Sequence, residues 1–275
     1  MTPTSENRCF GGTQAVYTHA SAATGGDMTF AVFLPAEAAL GPVPTLIYLS
    51  GLTCTHENAM TKAGAQQWCA EQGIAIVFPD TSPRGDEVAD DDGFDMGKAA
   101  SFYVDATQDP WKQHYQMETY ITRDLMDALS ELPLDLDRVS IMGHSMGGHG
   151  ALTLALKHPE RFRSVSAFSP ICHPTASDWG QRQFEGYLGS DREAWRAHDA
   201  TELMTAKGYD RPILVDQGLD DQFYDKLNTA DFAAACAQAR AEATVRLQKG
   251  YDHSYFFIAT FMDEHVAFHA EALYG

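Results

Sequence analysis

The sequence predicts an α/β fold in which a mostly parallel central sheet is flanked by helices, and three observations carry that expectation. Short apolar runs bounded by turn residues alternate with longer helical patterns from residue 29 onward. The runs read as buried strands, which suits a parallel sheet covered on both faces. One strand passes directly into a helix through a turn made largely of glycine, 143–150.

Taken in order, the run at 29–34 stops at Pro35, and the run at 45–49 enters Ser50-Gly51, so both read as strands. A helix is expected over about 58–72, ended by Gly73, then a strand over 74–78 stopped by Pro79. Next come a helix over about 117–130, a strand over 138–142, the glycine-rich turn, a helix reaching about His158, and a strand over 164–168. A strand over 212–216, a helix near 229–240, a strand over 244–248 and a closing helix over about 255–273 complete the series. Two irregular insertions, 80–111 and 171–211, stand outside the alternation; segments leaving strand C-termini line the site of an open α/β sheet.

A chain of 275 residues exceeds the ~100 to 150 of a typical domain, yet one α/β domain commonly runs to about 250. With no internal repeat or Pro/Ser-rich linker, a single domain over residues 1–275 is expected. Composition, 44% hydrophobic and 21% charged, excludes a disordered chain. No apolar run approaches the ~18 to 20 residues of a membrane span, and residues 1–8 lack a secretory apolar core, so a cytoplasmic protein without a membrane partner is expected. Nineteen basic against 38 acidic residues leave a formal charge of −19, which argues against nucleic acid as a partner, because phosphate binding needs Lys and Arg. The five cysteines are widely spaced with no C-x-x-C, suggesting reduced thiols rather than disulfides or a zinc knuckle.

The acidic stretch 87–95 is expected to be a solvated loop: placing Gly93 at the sixth position of a calcium loop puts Val88 first and Ala99 twelfth, where carboxylates are required. His265 and His269 stand i, i+4 on the last helix, but with no glutamate following His265 in the H-E-x-x-H order and no third ligand they are expected to be solvent-facing or packed rather than zinc-binding. No metal and no cofactor is called for.

The chemistry gathers around Gly143-His144-Ser145-Met146-Gly147, a G-x-S-x-G match lying between a strand and a helix as that motif requires. The serine must sit at the apex of a strained turn, where side chains two residues before or after would collide; Gly148 and Gly150 extend the small face where the helix passes the sheet. A serine hydroxyl needs a base and an acid to become a nucleophile, in the chain order Ser, Asp/Glu, His. The turn after the strand 212–216 offers Asp220 and Asp221, and of the eleven histidines His253 alone lies in a loop after both. The oxyanion donors expected are the N–H of Met146, next to the nucleophile, and the N–H of Leu52, in the loop after 45–49. Cys54 in that loop has no paired base and reads as a structural or pocket-lining thiol.

These residues resemble one family, the S-formylglutathione hydrolases or esterase D family of the α/β-hydrolase superfamily. The resemblance is carried by stretches 49–55, 79–85, 102–107, 143–152, 216–218, 221–223 and 250–255, which together span nearly the whole chain. It implies Ser145 as nucleophile, His253 as base and, because the Asp-Gln-Phe step matches the family, Asp221 rather than Asp220 as acid. It further implies hydrolysis of a small-molecule glutathione thioester to formate and glutathione in formaldehyde detoxification, no metal, and a homodimer. Cys54 and Trp179 are the expected pocket-lining residues. The chain departs from the family pattern at His56, Phe94, Met96, 99–101, His173 and Asp178, all expected in substrate-side loops and bearing on the shape of the thiol-side pocket. The rival readings are a broad carboxylesterase or acyltransferase on the same fold and, from another class, a non-catalytic binding protein on a hydrolase scaffold.

Overall fold

The computed structural model describes residues Met1–Gly275. Nine strands, β1 (Ser5–Cys9), β2 (Gly12–Ser21), β3 (Gly26–Leu34), β4 (Val43–Leu49), β5 (Ala75–Pro79), β6 (Leu134–His144), β7 (Val165–Phe168), β8 (Ile213–Gly218) and β9 (Ala243–Gln248), form one sheet. Their spatial order is β1-β2-β3-β5-β4-β6-β7-β8-β9; β1, β2 and β3 join antiparallel, and every pair from β5 to β9 is parallel. From β4 the chain goes first to β5 on one side and then to β6 on the other. This places a crevice at the C-terminal ends of β4 and β6, where ligands bind in such sheets.

The helices are α1 (His56–Lys62), α2 (Ala65–Gln72), α3 (Met117–Thr119), α4 (Leu125–Leu129), α5 (Met146–Lys157), α6 (Asp178–Leu188), α7 (Arg192–Trp195), α8 (Ala200–Lys207), α9 (Tyr224–Leu227), α10 (Thr229–Ala239) and α11 (Tyr255–Tyr274). None is long and apolar enough to cross a membrane. Strand side chains alternate between the two covered faces. On β4, Leu46 and Tyr48 pack with Phe257 and Met262 of α11, whereas Ile47 and Leu49 join the core on the α5 side. Burial on both faces explains why the strand sequences run continuously apolar, each large side chain contributing roughly 1.5 to 3 kcal/mol.

The mostly parallel sheet and its flanking helices agree with the sequence, and four expectations are corrected. The strands β1 and β2 were not expected; β1 is SENRC, largely exposed and polar, and carries no apolar signature. The helix expected over 58–72 is two helices, because Gly64 takes φ +69° and turns the chain between α1 and α2. The insertion 171–211 is mostly helical: Ser177, Asp191 and Asp199 each accept a backbone N–H and cap α6, α7 and α8. Asp95, at the end of the acidic stretch expected to be solvated, is buried.

Candidate active site

The turn between β6 and α5 holds Ser145 at φ 58°, ψ −118°, a conformation costing a β-carbon-bearing residue about 1 to 3 kcal/mol. Its own backbone supplies the restraint. The Ser145 N–H donates to the Phe168 carbonyl at 3.0 Å, and the Ser145 carbonyl accepts from His149 at 2.9 Å and Ile171 at 3.2 Å. A β-carbon on Gly143 would lie 2.1 Å from the Gly147 carbonyl oxygen, and one on Gly147 would lie 2.0 Å from that of Leu49. The two motif glycines are therefore demanded by space. Gly148 faces Pro170 and Ala167 next to the sheet, but Gly150 meets the Tyr103 ring of the long loop instead, correcting that expectation.

His253 enters from the loop between β9 and α11. Its Nδ1 lies 2.6 Å from Asp221 Oδ2, while Asp221 Oδ1 accepts the Phe223 N–H at 2.8 Å. Burial pushes the Asp221 carboxyl up, yet the hydrogen bond and charge of His253 outweigh it and hold the carboxyl below its usual range. An ionised carboxylate only accepts, so His253 Nδ1 carries a proton toward Asp221, which directs Nε2 away from the carboxylate. Asp220, by contrast, is exposed, and its backbone N–H is tied to the Tyr251 carbonyl at 2.9 Å.

Ser145, His253, Leu52, Cys54 and Trp179 all border one pocket of about 340 Å³. The Leu52 N–H, in a turn, makes no hydrogen bond within the protein, and the Met146 N–H is the first of α5, where no intrahelical acceptor exists. The Met146 side chain is buried behind the turn, its sulfur accepting the Phe102 N–H at 3.3 Å. Gly51 holds the neighbouring loop close: a β-carbon there would come within 3.1 Å of Ser145 Cβ. The Cys54 sulfur is 3.9 Å from the Tyr255 hydroxyl, and burial pushes the thiol pKa up, which favours the unreactive protonated form. A depression of about 400 Å³ near Leu136, Val139 and Phe162 lies toward the other end of β6 and is lined by no serine, cysteine or histidine.

Several residues at the site were not foreseen. Gln217 donates from Nε2 to Asp221 Oδ2 at 3.2 Å, and its amide is oriented by the Thr229 hydroxyl, which donates to Oε1 at 2.7 Å. Asp95 accepts from Trp179 Nε1 at 2.7 Å and from Arg182 Nη1 at 2.7 Å, fixing the pocket wall. The His144 ring lies 4.4 Å from that of His253, and burial together with the nearby His253 charge pushes its pKa well down, so it packs there as a neutral ring. A motif position marked "any residue" gives no sequence signal for this. Of the departures from the family pattern, Phe94 alone lines the pocket. His56 begins α1 and His173 pairs with Asp231 at 2.7 Å, so the expectation that all of them face the substrate is corrected.

A mostly parallel sheet with a serine on a strained strand-to-helix turn at its switch point defines a serine hydrolase of the α/β-hydrolase class. Comparison with known proteins agrees. The family model "Esterase: Putative esterase" matches residues 21–268. An S-formylglutathione hydrolase of Paracoccus denitrificans is 58% identical over 98% of this chain and 97% of its own length. One from Mus musculus is 50% identical over the same shares. The solved structure of an S-formylglutathione hydrolase from Agrobacterium tumefaciens superposes with a TM-score of 0.97 at 47% identity, covering 99% of this chain and 100% of that one. The chain belongs to the S-formylglutathione hydrolase family.

Proposed function

We infer that this chain is a serine thioesterase that hydrolyses S-formylglutathione to formate and glutathione, the step that releases formate in formaldehyde detoxification. The observation that carries the reading is the meeting of Ser145, on its strained turn, with the Asp221-supported His253 in one pocket, in a chain 58% identical to a protein of that activity. Ser145 Oγ attacks the formyl carbonyl while His253 Nε2 takes its proton. Asp221 holds the imidazole and stabilises its charged form. The free N–H groups of Met146 and Leu52 receive the oxyanion. The C–S bond then breaks, the sulfur leaves with the proton from His253, and water attacks the formyl-serine by the same route in reverse.

Residues 1–275 are proposed to form a single domain, a reading supported by the one sheet that runs from β1 to β9. A homodimer in the cytoplasm, contacting neither membrane nor nucleic acid, completes the proposal on the strength of the family resemblance. Light scattering at micromolar protein tests the dimer.

The deciding experiment compares S-formylglutathione with p-nitrophenyl esters of rising acyl length. Turnover is expected to fall steeply from formyl to acetyl to butyryl, each methylene without room costing about 1 to 3 kcal/mol. A flat or rising profile with poor S-formylglutathione turnover favours the broad carboxylesterase.

A further inference from the structure

One row of aromatic rings crosses the pocket and ends in a lysine on either side. At one end Lys226 Nζ sits 5.6 Å above the Trp179 ring. Trp179 stacks on Phe223 with centroids 6.1 Å apart, and Phe223 meets His253 edge-on at 5.0 Å. His253 lies on His144 at 4.4 Å, His144 faces Tyr255 at 6.0 Å, and Lys62 Nζ sits 5.8 Å above the Tyr255 ring at the other end. The base proposed to serve Ser145 stands in the middle of this row, with one ammonium beyond each flank.

Charge makes the placement informative. The chain carries 38 acidic residues against 19 basic, and most of its cations near carboxylates are paired. Lys62 and Lys226 enter no ion pair within 4 Å, both are exposed, and each is held by the face of a pocket-lining ring. Their flexible four-carbon stems allow each ammonium to leave its ring and swing toward a ligand. Glutathione presents a complementary pattern. Its sulfur, which bears the acyl group, is in the middle of the tripeptide, and a carboxylate stands at each end.

We propose that Lys62 and Lys226 are the carboxylate-binding residues for the glutathione half of the substrate, one for each end of the tripeptide. The inference rests on the S-formylglutathione reading. It also supplies the cation that an anionic substrate needs to approach a chain of formal charge −19.

The test measures kcat/KM for S-formylglutathione and for S-formyl-N-acetylcysteamine, a formyl thioester without carboxylates, in wild type and in Lys62→Met, Lys226→Met, Lys62→Arg and Lys226→Arg. The methionine variants keep the stem and lose the charge. Their ratio of the glutathione to the neutral thioester is expected to fall about three- to tenfold each, mainly through KM, and the arginine variants are expected to restore it. The wild-type ratio is expected to decline with added salt, and each methionine variant to decline less. Folding of all variants is checked by thermal melting, since an exposed lysine contributes little to stability. Ratios equal to wild type in both methionine variants would overturn the inference while leaving the thioesterase reading intact. Failure of the wild type to prefer S-formylglutathione over the neutral thioester would remove the glutathione reading itself, and the inference with it.

Discussion

Two groups of aspartate, histidine and serine leave the end of β8 on different sides. Asp221 holds His253 at the pocket with Ser145 on the same wall. Asp216 accepts from His265 Nε2 at 3.0 Å, and His265 Nδ1 lies 2.9 Å from Ser166 Oγ. From Ser166 the second group continues through His269 to Ser164 and Ser140, each step 2.8 Å. Burial pushes the Asp216 carboxyl up, but the hydrogen bonds from His265 and Arg246 outweigh it and lower its pKa to about 2. As an ionised acceptor it sets the direction of every hydrogen atom in the chain behind it. The residue types match, yet the second group is wholly buried under α11, and Ser166 lies in regular pairing on β7. Access and backbone strain, not the trio of side chains, separate a site for chemistry from a structural fastening.

The largest effect expected is at the two serines. Ser145→Ala should lower kcat by about 10⁴- to 10⁶-fold without shifting the melting temperature by more than a few degrees. Ser166→Ala should leave two histidine nitrogens unpartnered and cost about 1 to 3 kcal/mol of stability, with turnover of the folded protein within a few-fold of wild type. Steady-state kinetics and urea melts on both variants decide this; retention of more than a few per cent activity in Ser145→Ala would end the proposed role.

Among the acids, Asp221→Asn should cost about 10³ to 10⁴ in kcat, because the imidazole is then held in the wrong tautomer, and Asp220→Asn should cost less than tenfold. Reversed magnitudes would place the acid one residue earlier. Asp216→Asn belongs with the fastening: it leaves Arg246 and His265 without their carboxylate, so a loss of about 3 to 5 kcal/mol in the urea midpoint analysis is expected, with kcat changed less than tenfold. A selective loss of turnover in a stable Asp216→Asn protein would show that the two groups are one.

The same contrast explains what was legible in the sequence. That Ser145 and His253 border one pocket could be anticipated because a strained turn needs glycine at Gly143 and Gly147, and the base proposed for it belongs in a loop after the last strand. The parallel strands could be read because burial on both faces leaves an unbroken apolar run. The strand β1 could not, since its backbone pairing with β2 needs no apolar side chain at all. Helices α6 to α8 are signalled by the capping residues Ser177, Asp191 and Asp199 and by apolar residues at helical spacing, Phe184, Tyr187 and Leu188 on α6 and Ala200, Leu203 and Met204 on α8, but these helices are short and the glycines and charges among them mask the pattern. Gln217 and Asp95 act through partners distant in sequence, Gln217 on Asp221 and Asp95 on Trp179, and such pairings become visible only when the sheet has formed.

The buried histidines sharpen the comparison through pH. His265 and His269 are pushed below the ordinary imidazole range, each by burial first. His149 is at about 3, set by burial and then by Lys157, and its ring nitrogens have no partner. His198 is at about 4 for the same two causes in the same order. In the unfolded chain each would titrate near ~6.5, so below that pH the unfolded state binds protons that the folded state refuses. Their contribution to stability is therefore fully present above about pH 6.5 and is lost as the pH falls toward 4 and, for His149, toward 3. Each unmatched proton costs about 1.4 kcal/mol per pH unit. Asp216 adds a loss of the same sign at lower pH, between ~3.9 and its folded value of about 2. Urea midpoints measured from pH 8 to pH 4 should stay level to about 6.5 and then drop more steeply than one proton allows. His149→Met should reduce that slope by about one proton, because it removes a group that never charges in the folded state. Level midpoints down to pH 4 would mean that these imidazoles take up protons inside the fold, and that the interior polar chain is as accessible as the pocket.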